Sequence, residues 1–289
     1  MVSRTAYRDL VTRSKSLFTR ITSRAAGGGS AGLAKCMARR PSPLVSGPER
    51  FGVLWSGKGG SMAAVFWFLA RVGQLDAARE YARNPHNYRI DVLQKSLEYR
   101  QWIASCDPRE LAWLRILRDP YKRAVSSYRH VLRHGIDDAA IKEQLNISIP
   151  ESGLSFAEFL EFLERVDIAK CNVHYRQQWH PLEAHVTVRR VVNIDEENLL
   201  AALDAFENEL GLPPLSPQAR ANLVAVLSRE SRRHHKNLET SVGDQTSARM
   251  TRDEADGHWP AYDAFLSDDT RRKLERIYAK DFAAYADIL

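Results

Sequence analysis

"FGVLWSGKGGSMAAVFWFLARVG" occupies residues 51–73 and holds the decisive local pattern. Its first residues, "FGVLW", read as a short buried strand. Ser56, Gly57, Lys58, Gly59, Gly60 and Ser61 then interrupt the apolar run, and an apolar helix follows from about Ser61 to Val72. A strand, a glycine-rich turn and a helix in that order make a cradle for an anion. The glycines let the backbone bend and approach a ligand without Cβ obstruction. The free N–H groups of Gly59, Gly60, Ser61, Met62 and Ala63 then face outward from a helix N-terminus, and Lys58 adds a mobile positive charge.

The same alternation continues along the chain. "LAWLRILR" (111–118) reads as a second strand and "YKRAVSSYRHVLRH" (121–134) as the helix after it. "HVTVRRVVNI" (185–194) is a third strand rich in β-branched residues, and "DEENLLAALDAFENELG" (195–211) a helix ending at Gly211. Ser155 and Glu158 form a capping box before "FAEFLEFLERV". "SDDTRRKLERIYAKDFAAYADIL" (267–289) is a last amphipathic helix capped by Ser267. Strands alternating with helices predict an α/β fold: a central parallel sheet flanked by helices.

Charge divides the chain unevenly. The first 40 residues hold nine of the 42 Lys and Arg but one of the 36 acidic residues, Asp9. The rest therefore carries 33 basic against 35 acidic groups, so the formal +6 belongs to the N-terminal segment. That argues against a body built to bind nucleic acid, which would carry its positive charge on the folded surface. The expected organisation is a basic arm over 1–45 and one domain over 46–289. "AAGGGSAG" (25–32) reads as a hinge, and Leu10, Val11, Leu17, Phe18 and Ile21 share one side of a basic amphipathic pattern. Two readings of the arm stay open, a solvated tail or a peripheral contact with a membrane surface. The longest apolar run, Met62 to Ala70, is too short to cross a bilayer. Cys36, Cys106 and Cys171 lie far apart, which predicts a reducing setting without disulfides or a zinc site, and with no signal-peptide or membrane-spanning pattern the expected location is cytoplasmic.

The turn is not the nucleoside-triphosphate motif. That motif needs Ser or Thr directly after the lysine to hold magnesium, and Gly59 follows Lys58. A second stretch, "LRILRDPYKRAVSSYRHVL", narrows the reading. A strand ends in Arg118, and Asp119 and Pro120 open a helix in the cap and first-turn places. Ser126 lies eight residues beyond Arg118, so a guanidinium fork and a hydroxyl can converge on one phosphate.

Together the two stretches resemble the sulfotransferases that use 3′-phosphoadenosine 5′-phosphosulfate (PAPS), in particular the carbohydrate sulfotransferase (sulfotransferase family 2) branch. In that family a P-K-x-[GA]-[TS]-[TS] loop grips the 5′-phosphosulfate and R-[DN]-P-x-x-R-x-x-S grips the 3′-phosphate. Arg118, Asp119, Pro120, Arg123 and Ser126 match the second pattern; Lys58, Gly60 and Ser61 match the first, with Gly57 for proline and Met62 for a hydroxyl residue. "CNVHYRQQW" (171–179) is similar to the family's H-[WY]-x-P-Q segment, with Gln177 for proline, and "IYAKDFAAYADI" (277–288) to its closing helix.

The resemblance implies a P-loop-like three-layer fold and in-line transfer of a sulfuryl group from PAPS, as co-substrate and without a metal. The acceptor would be a hydroxyl or amine, of a carbohydrate or glycoconjugate. Lys58 would neutralise the leaving oxygen. His86, Glu98 and His174 are the candidates for the general base. "SRESRRHHKN" (228–237) reads as a basic break between helices, offering Arg232, Arg233 and Lys236 as clamps on the nucleotide. Trp55, Trp179 and Tyr128 are aromatic candidates for stacking on adenine or sugar. The competing readings are another nucleotide-dependent transferase or kinase, and a non-catalytic anion- or nucleic-acid-binding module.

Overall fold

A computed structural model describes residues 30–235, 238–239, 243–257 and 259–289. In chain order the elements are α1 (Ser30–Met37), β1 (Leu44–Ser46), β2 (Phe51–Leu54), α2 (Ser61–Arg71), α3 (Leu75–Tyr81), α4 (Pro85–Asp91) and α5 (Leu97–Ser105). They continue with β3 (Ala112–Leu117), α6 (Pro120–His134), α7 (Asp138–Leu145), α8 (Ile149–Ser152), α9 (Phe156–Arg165) and β4 (Val188–Asn193). The last are α10 (Leu199–Glu209), α11 (Pro217–His235), β5 (Leu238–Glu239), α12 (Arg252–Asp256), β6 (Trp259–Pro260), α13 (Asp268–Ile277) and α14 (Ala279–Ala284).

The main sheet has the order β1-β2-β3-β4, and β2, β3 and β4 run parallel. These are the three strands expected from the sequence. β1 adds an antiparallel edge against β2, and β5 pairs with β6 in a small separate ladder. Gly52 in β2 lies opposite Trp113 in β3, and a Cβ there would stand 2.3 Å from the indole, so that ring occupies the space a side chain would need.

Period-2 alternation sends Phe51, Val53, Leu114, Ile116 and Val192 into one core with α2, α10 and α11. Burial is near complete along α2 from Ala64 to Ala70, consistent with its unbroken apolar sequence. On the other side Val45, Leu54 and Trp113 pack on Leu182 and Met37. A third cluster gathers Tyr128, Phe156, Phe159, Trp259 and Phe265 around α6 and α9. Fully burying side chains of this size contributes roughly 1.5–3 kcal/mol each, so the three clusters dominate the fold's stability.

Several boundaries differ from expectation. Residues 30–45, expected as the end of the arm, are folded here: Met37 and Val45 are buried, and Trp55 Nε1 donates to the Ser42 carbonyl at 3.1 Å. The amphipathic pattern at 10–21 lies outside the described residues. The helix expected from Asp195 starts at Leu199 with Asn198 as its cap, because Asp195 turns back toward β3. The closing helix breaks at Tyr278, whose hydroxyl reaches the Tyr175 carbonyl at 2.7 Å. The basic stretch after 228 continues α11 to His235 instead of breaking between helices. Among the described residues, no helix is long and apolar enough to cross a membrane.

Candidate active site

The site lies past the carboxyl ends of β2 and β3, where ligands bind in open α/β sheets. After β2 the chain turns through Ser56 to Gly60, with bridges from Ser56 to Gly59 and Gly60. Lys58 at φ 63° and Gly60 at φ 80° are both left-handed. For Gly60 the crowding of Ile116 and Ile194, each 3.3 Å from the position of a Cβ, adds to that requirement. Gly60 caps α2 without any side-chain hydrogen bond, so the first N–H groups of the helix face outward uncapped.

Gly57 has a different reason. A Cβ there would lie 2.5 Å from the Val173 carbonyl oxygen and 3.0 Å from His174 Cα. The 171–179 segment presses against the loop, and a proline at this position would collide with it. Gly59 is equally confined, its missing Cβ being 2.5 Å from Ser56 Oγ and 3.0 Å from Gln178 Oε1. A hydroxyl side chain at the position after Lys58 would have to displace the Ser56 hydroxyl and the Gln178 amide.

After β3, Asp119 caps α6 by accepting from Lys122 N–H at 2.9 Å, with Pro120 in the first turn. Arg118 is held by Asp195 at 3.2 Å, beyond the end of β4, and its guanidinium lies 5.0 Å from the centre of the Tyr262 ring. Asp195 also accepts from Asp119 N–H at 3.1 Å. Ser126 sits on the buried face of α6, and among the described residues its hydroxyl has no hydrogen-bond partner. Arg123 is wholly buried; its Nε donates to the Gly57 carbonyl at 2.9 Å and Nη2 to the Arg176 carbonyl at 2.6 Å. The second motif thus reaches across and holds the first loop.

Cations crowd the loop. Burial, then Arg118, Arg133, Arg129 and Arg123, push the Lys58 pKa down to about 8. Such a field favours an anion with several charges. Next to it stand three imidazoles, His130 between His134 and His174, with ring centres 4.4 and 4.2 Å apart. His130 and His134 went unremarked in the sequence. Burial chiefly, with Lys58, holds His130 near 2 and His174 near 4, so both are neutral at pH 7. Among the described residues, no group of three His, Cys, Asp or Glu is placed to bind a metal.

The three base candidates are placed differently. His174 lies on the segment against Gly57, and its buried Nδ1 has no hydrogen-bond partner among the described residues. His86 stacks on Trp55, receives Arg89 Nε at 3.3 Å on Nδ1, and so presents a protonated Nε2 to Ser61 Oγ at 3.3 Å. Both of its nitrogens are engaged. Glu98 is exposed in the first turn of α5, a helix that packs on β1. Tyr128 is a core residue with its hydroxyl on the Leu154 carbonyl, which removes it as a stacking surface; Lys280 covers the Trp179 ring at 4.4 Å. Arg232 and Arg233 fall on α11, and Lys236 lies outside the described residues.

Gln178 stands at the glutamine of the H-[WY]-x-P-Q pattern, but the sequence alone assigns it no role. It is buried between the two motifs: Oε1 accepts from Arg118 N–H at 3.0 Å and from Ser56 Oγ at 3.1 Å, and Nε2 donates to the Arg118 carbonyl at 2.7 Å. Asp281 of α14 accepts from the N–H groups of Gln178 and Trp179, each at 2.7 Å.

The model of the sulfotransferase family matches residues 64–286, well over half of the chain. The chain belongs to the sulfotransferase family. The match spans Arg118, Ser126, His174, Gln178 and Asp281 and begins just after the Lys58 loop, so the reading of that loop stands on its geometry. No curated protein and no solved structure shows a significant match. Within this sulfotransferase domain the cationic loop and the Arg118 motif lie at the carboxyl end of the parallel strands, where ligands bind in open α/β sheets.

Proposed function

We propose that the chain transfers the sulfuryl group of PAPS to a hydroxyl or amine of a carbohydrate or glycoconjugate acceptor. One observation carries this reading: two anion grips, the Lys58 loop and the Arg118–Ser126 motif, stand on adjacent parallel strands and are tied together by Gln178. A nucleotide phosphorylated at both ends has two such groups to hold. The Gly59–Ala63 amides and Lys58 suit the phosphosulfate end; Arg118 and Ser126 suit the 3′-phosphate. The family supports the sulfuryl donor, and the carbohydrate acceptor follows from the resemblance to that branch.

PAPS, when bound, supplies an activated sulfuryl group on a phosphate leaving group. Lys58 places a positive charge where negative charge would grow, the preorganised electrostatic contribution that enzymes use for group transfer. Of the three base candidates, His174 is the one beside the loop with an unpartnered Nδ1 among the described residues; burial and Lys58 lower its pKa to about 4, so it would be a weak base. His86 would orient Ser61. A kinase reading lacks the metal-binding hydroxyl that should follow the lysine, because Gly59 holds that position.

Calorimetry with 3′-phosphoadenosine 5′-phosphate, AMP and ATP tests the proposal. The bisphosphate should bind at least about tenfold tighter than either, the increment of one good charge-assisted contact. Arg118→Ala should abolish that preference. Equal affinity of the unmodified protein for all three would overturn the reading.

A further inference from the structure

We propose that Gln178 is a positioning residue that fixes the spacing of the two grips, and so selects a nucleotide carrying phosphate at both ends. The inference rests on the proposed use of PAPS. Its ground is the place where the β2–β3 ladder stops. The last paired residues are Leu54 and Arg115. Ser56 and Arg118 lie past that point, where no strand-to-strand hydrogen bond joins the two chains.

Gln178 supplies the missing connection. Its side-chain amide pairs with both the N–H and the carbonyl of Arg118, as a neighbouring strand would, and its oxygen also takes the Ser56 hydroxyl. The orientation is determined by Arg118: its N–H faces Oε1 and its carbonyl faces Nε2, so a flipped amide would lose both of those bonds, whereas the Ser56 hydroxyl could serve either end. Glutamine is the side chain that offers both halves of this pairing with the reach to span it.

The backbone of Gln178 is fixed in turn. Its N–H donates to Asp281, and its carbonyl accepts from Arg115, which is itself buried against Tyr285 and Glu183. α14 therefore reaches the nucleotide site through one amide. The hydrogen bonds of its side chain go to the two ligand segments, to the Ser56 hydroxyl on one and the Arg118 backbone on the other. The prediction is that loss of the amide leaves each grip intact but lets their separation vary, which weakens a two-ended ligand more than a one-ended one.

The test compares the affinity ratio of 3′-phosphoadenosine 5′-phosphate to AMP in the unmodified protein, Gln178→Ala and Ser56→Ala. Gln178→Ala should lower the ratio by about tenfold while the affinity for AMP stays within about threefold. Ser56→Ala, which removes one bond on the loop side, should lower it by about threefold. A folded Gln178→Ala protein with an unchanged ratio overturns the inference. If Gln178→Ala does not fold, an unchanged ratio in Ser56→Ala overturns it instead. Absence of any preference in the unmodified protein overturns the donor assignment itself, and this inference with it.

Discussion

The Lys58 loop and the Arg118 motif stand side by side, yet one is built mainly from backbone and the other from side chains. In the loop, Gly57 and Gly59 are set by close approach, Gly60 by a left-handed φ and crowding, and the anion-facing groups are peptide N–H donors at the start of α2. In the motif, Arg118 is aimed by Asp195 and Tyr262, and Ser126 offers a hydroxyl from α6. A backbone grip can be reached by several spellings, provided the turn closes. A side-chain grip needs its particular residues. The chain departs from the family pattern where this contrast permits: Gly57 and Met62 stand in the loop, and the Arg118 motif keeps every residue of its pattern.

The largest expected effect falls on the one side chain in the loop that the backbone cannot replace. Lys58→Met should lower kcat for sulfuryl transfer by about 10²–10³-fold, the usual cost of removing one preorganised charge-stabilising group. A loss below about tenfold would mean that the amides alone carry the loop. The same lysine sets a pH limit. Its pKa is lowered to about 8, so the charge is present below that pH and disappears as pH rises through it. In the free enzyme kcat/KM should fall above pH 8. Lys58→Arg, which keeps its charge, should lose that alkaline limb.

An intermediate effect is expected where the loop meets its neighbour. Gly57→Ala would drive a Cβ to 2.5 Å from the Val173 carbonyl, and both chains there are backbone that cannot rotate aside. The expected cost is roughly 1–3 kcal/mol in denaturant unfolding. Donor binding should weaken too, because the Gly57 carbonyl is the anchor for Arg123. A fully stable Gly57→Ala protein with normal binding would show that the loop tolerates displacement.

Much of the fold was legible because its signals are local. Apolar strand runs, the glycine turn, the Asp119–Pro120 start and the Ser155–Glu158 box each lie within a few residues, and the three parallel strands and their helices follow from them. β1 was not legible, since Leu44–Ser46 is too short to carry a period. Asp195 reads as the acidic start of a helix until the structure turns it toward Arg118. In the site, Lys58, Arg118 and Ser126 stand in recognisable patterns. Gln178 and Asp281 act through contacts 122 and 103 residues apart in sequence; the H-[WY]-x-P-Q pattern marks the glutamine's place but not its partners, and an acid in an amphipathic helix announces nothing by itself. His130 and His134 likewise look like polar residues of a surface helix until α6 is laid beside the loop.

The smallest expected effect is the most direct test of the contrast between backbone and side-chain grips. Met62 stands where the family pattern has a hydroxyl residue, and it packs partly against the core of α2. Met62→Thr would restore one hydroxyl donor toward the anion, worth about 0.5–1.5 kcal/mol for a net hydrogen bond. It would also remove apolar contact of similar size and add a β-branched residue to the first turn of the helix. The two changes oppose each other, so calorimetry should find the affinity for 3′-phosphoadenosine 5′-phosphate altered by no more than about threefold. If the amides already satisfy the anion's oxygens, the added hydroxyl has no vacant acceptor to serve. A gain beyond about tenfold would mean that the loop grips through side chains after all, as its neighbour does, and that methionine at this position weakens a contact the amides cannot supply.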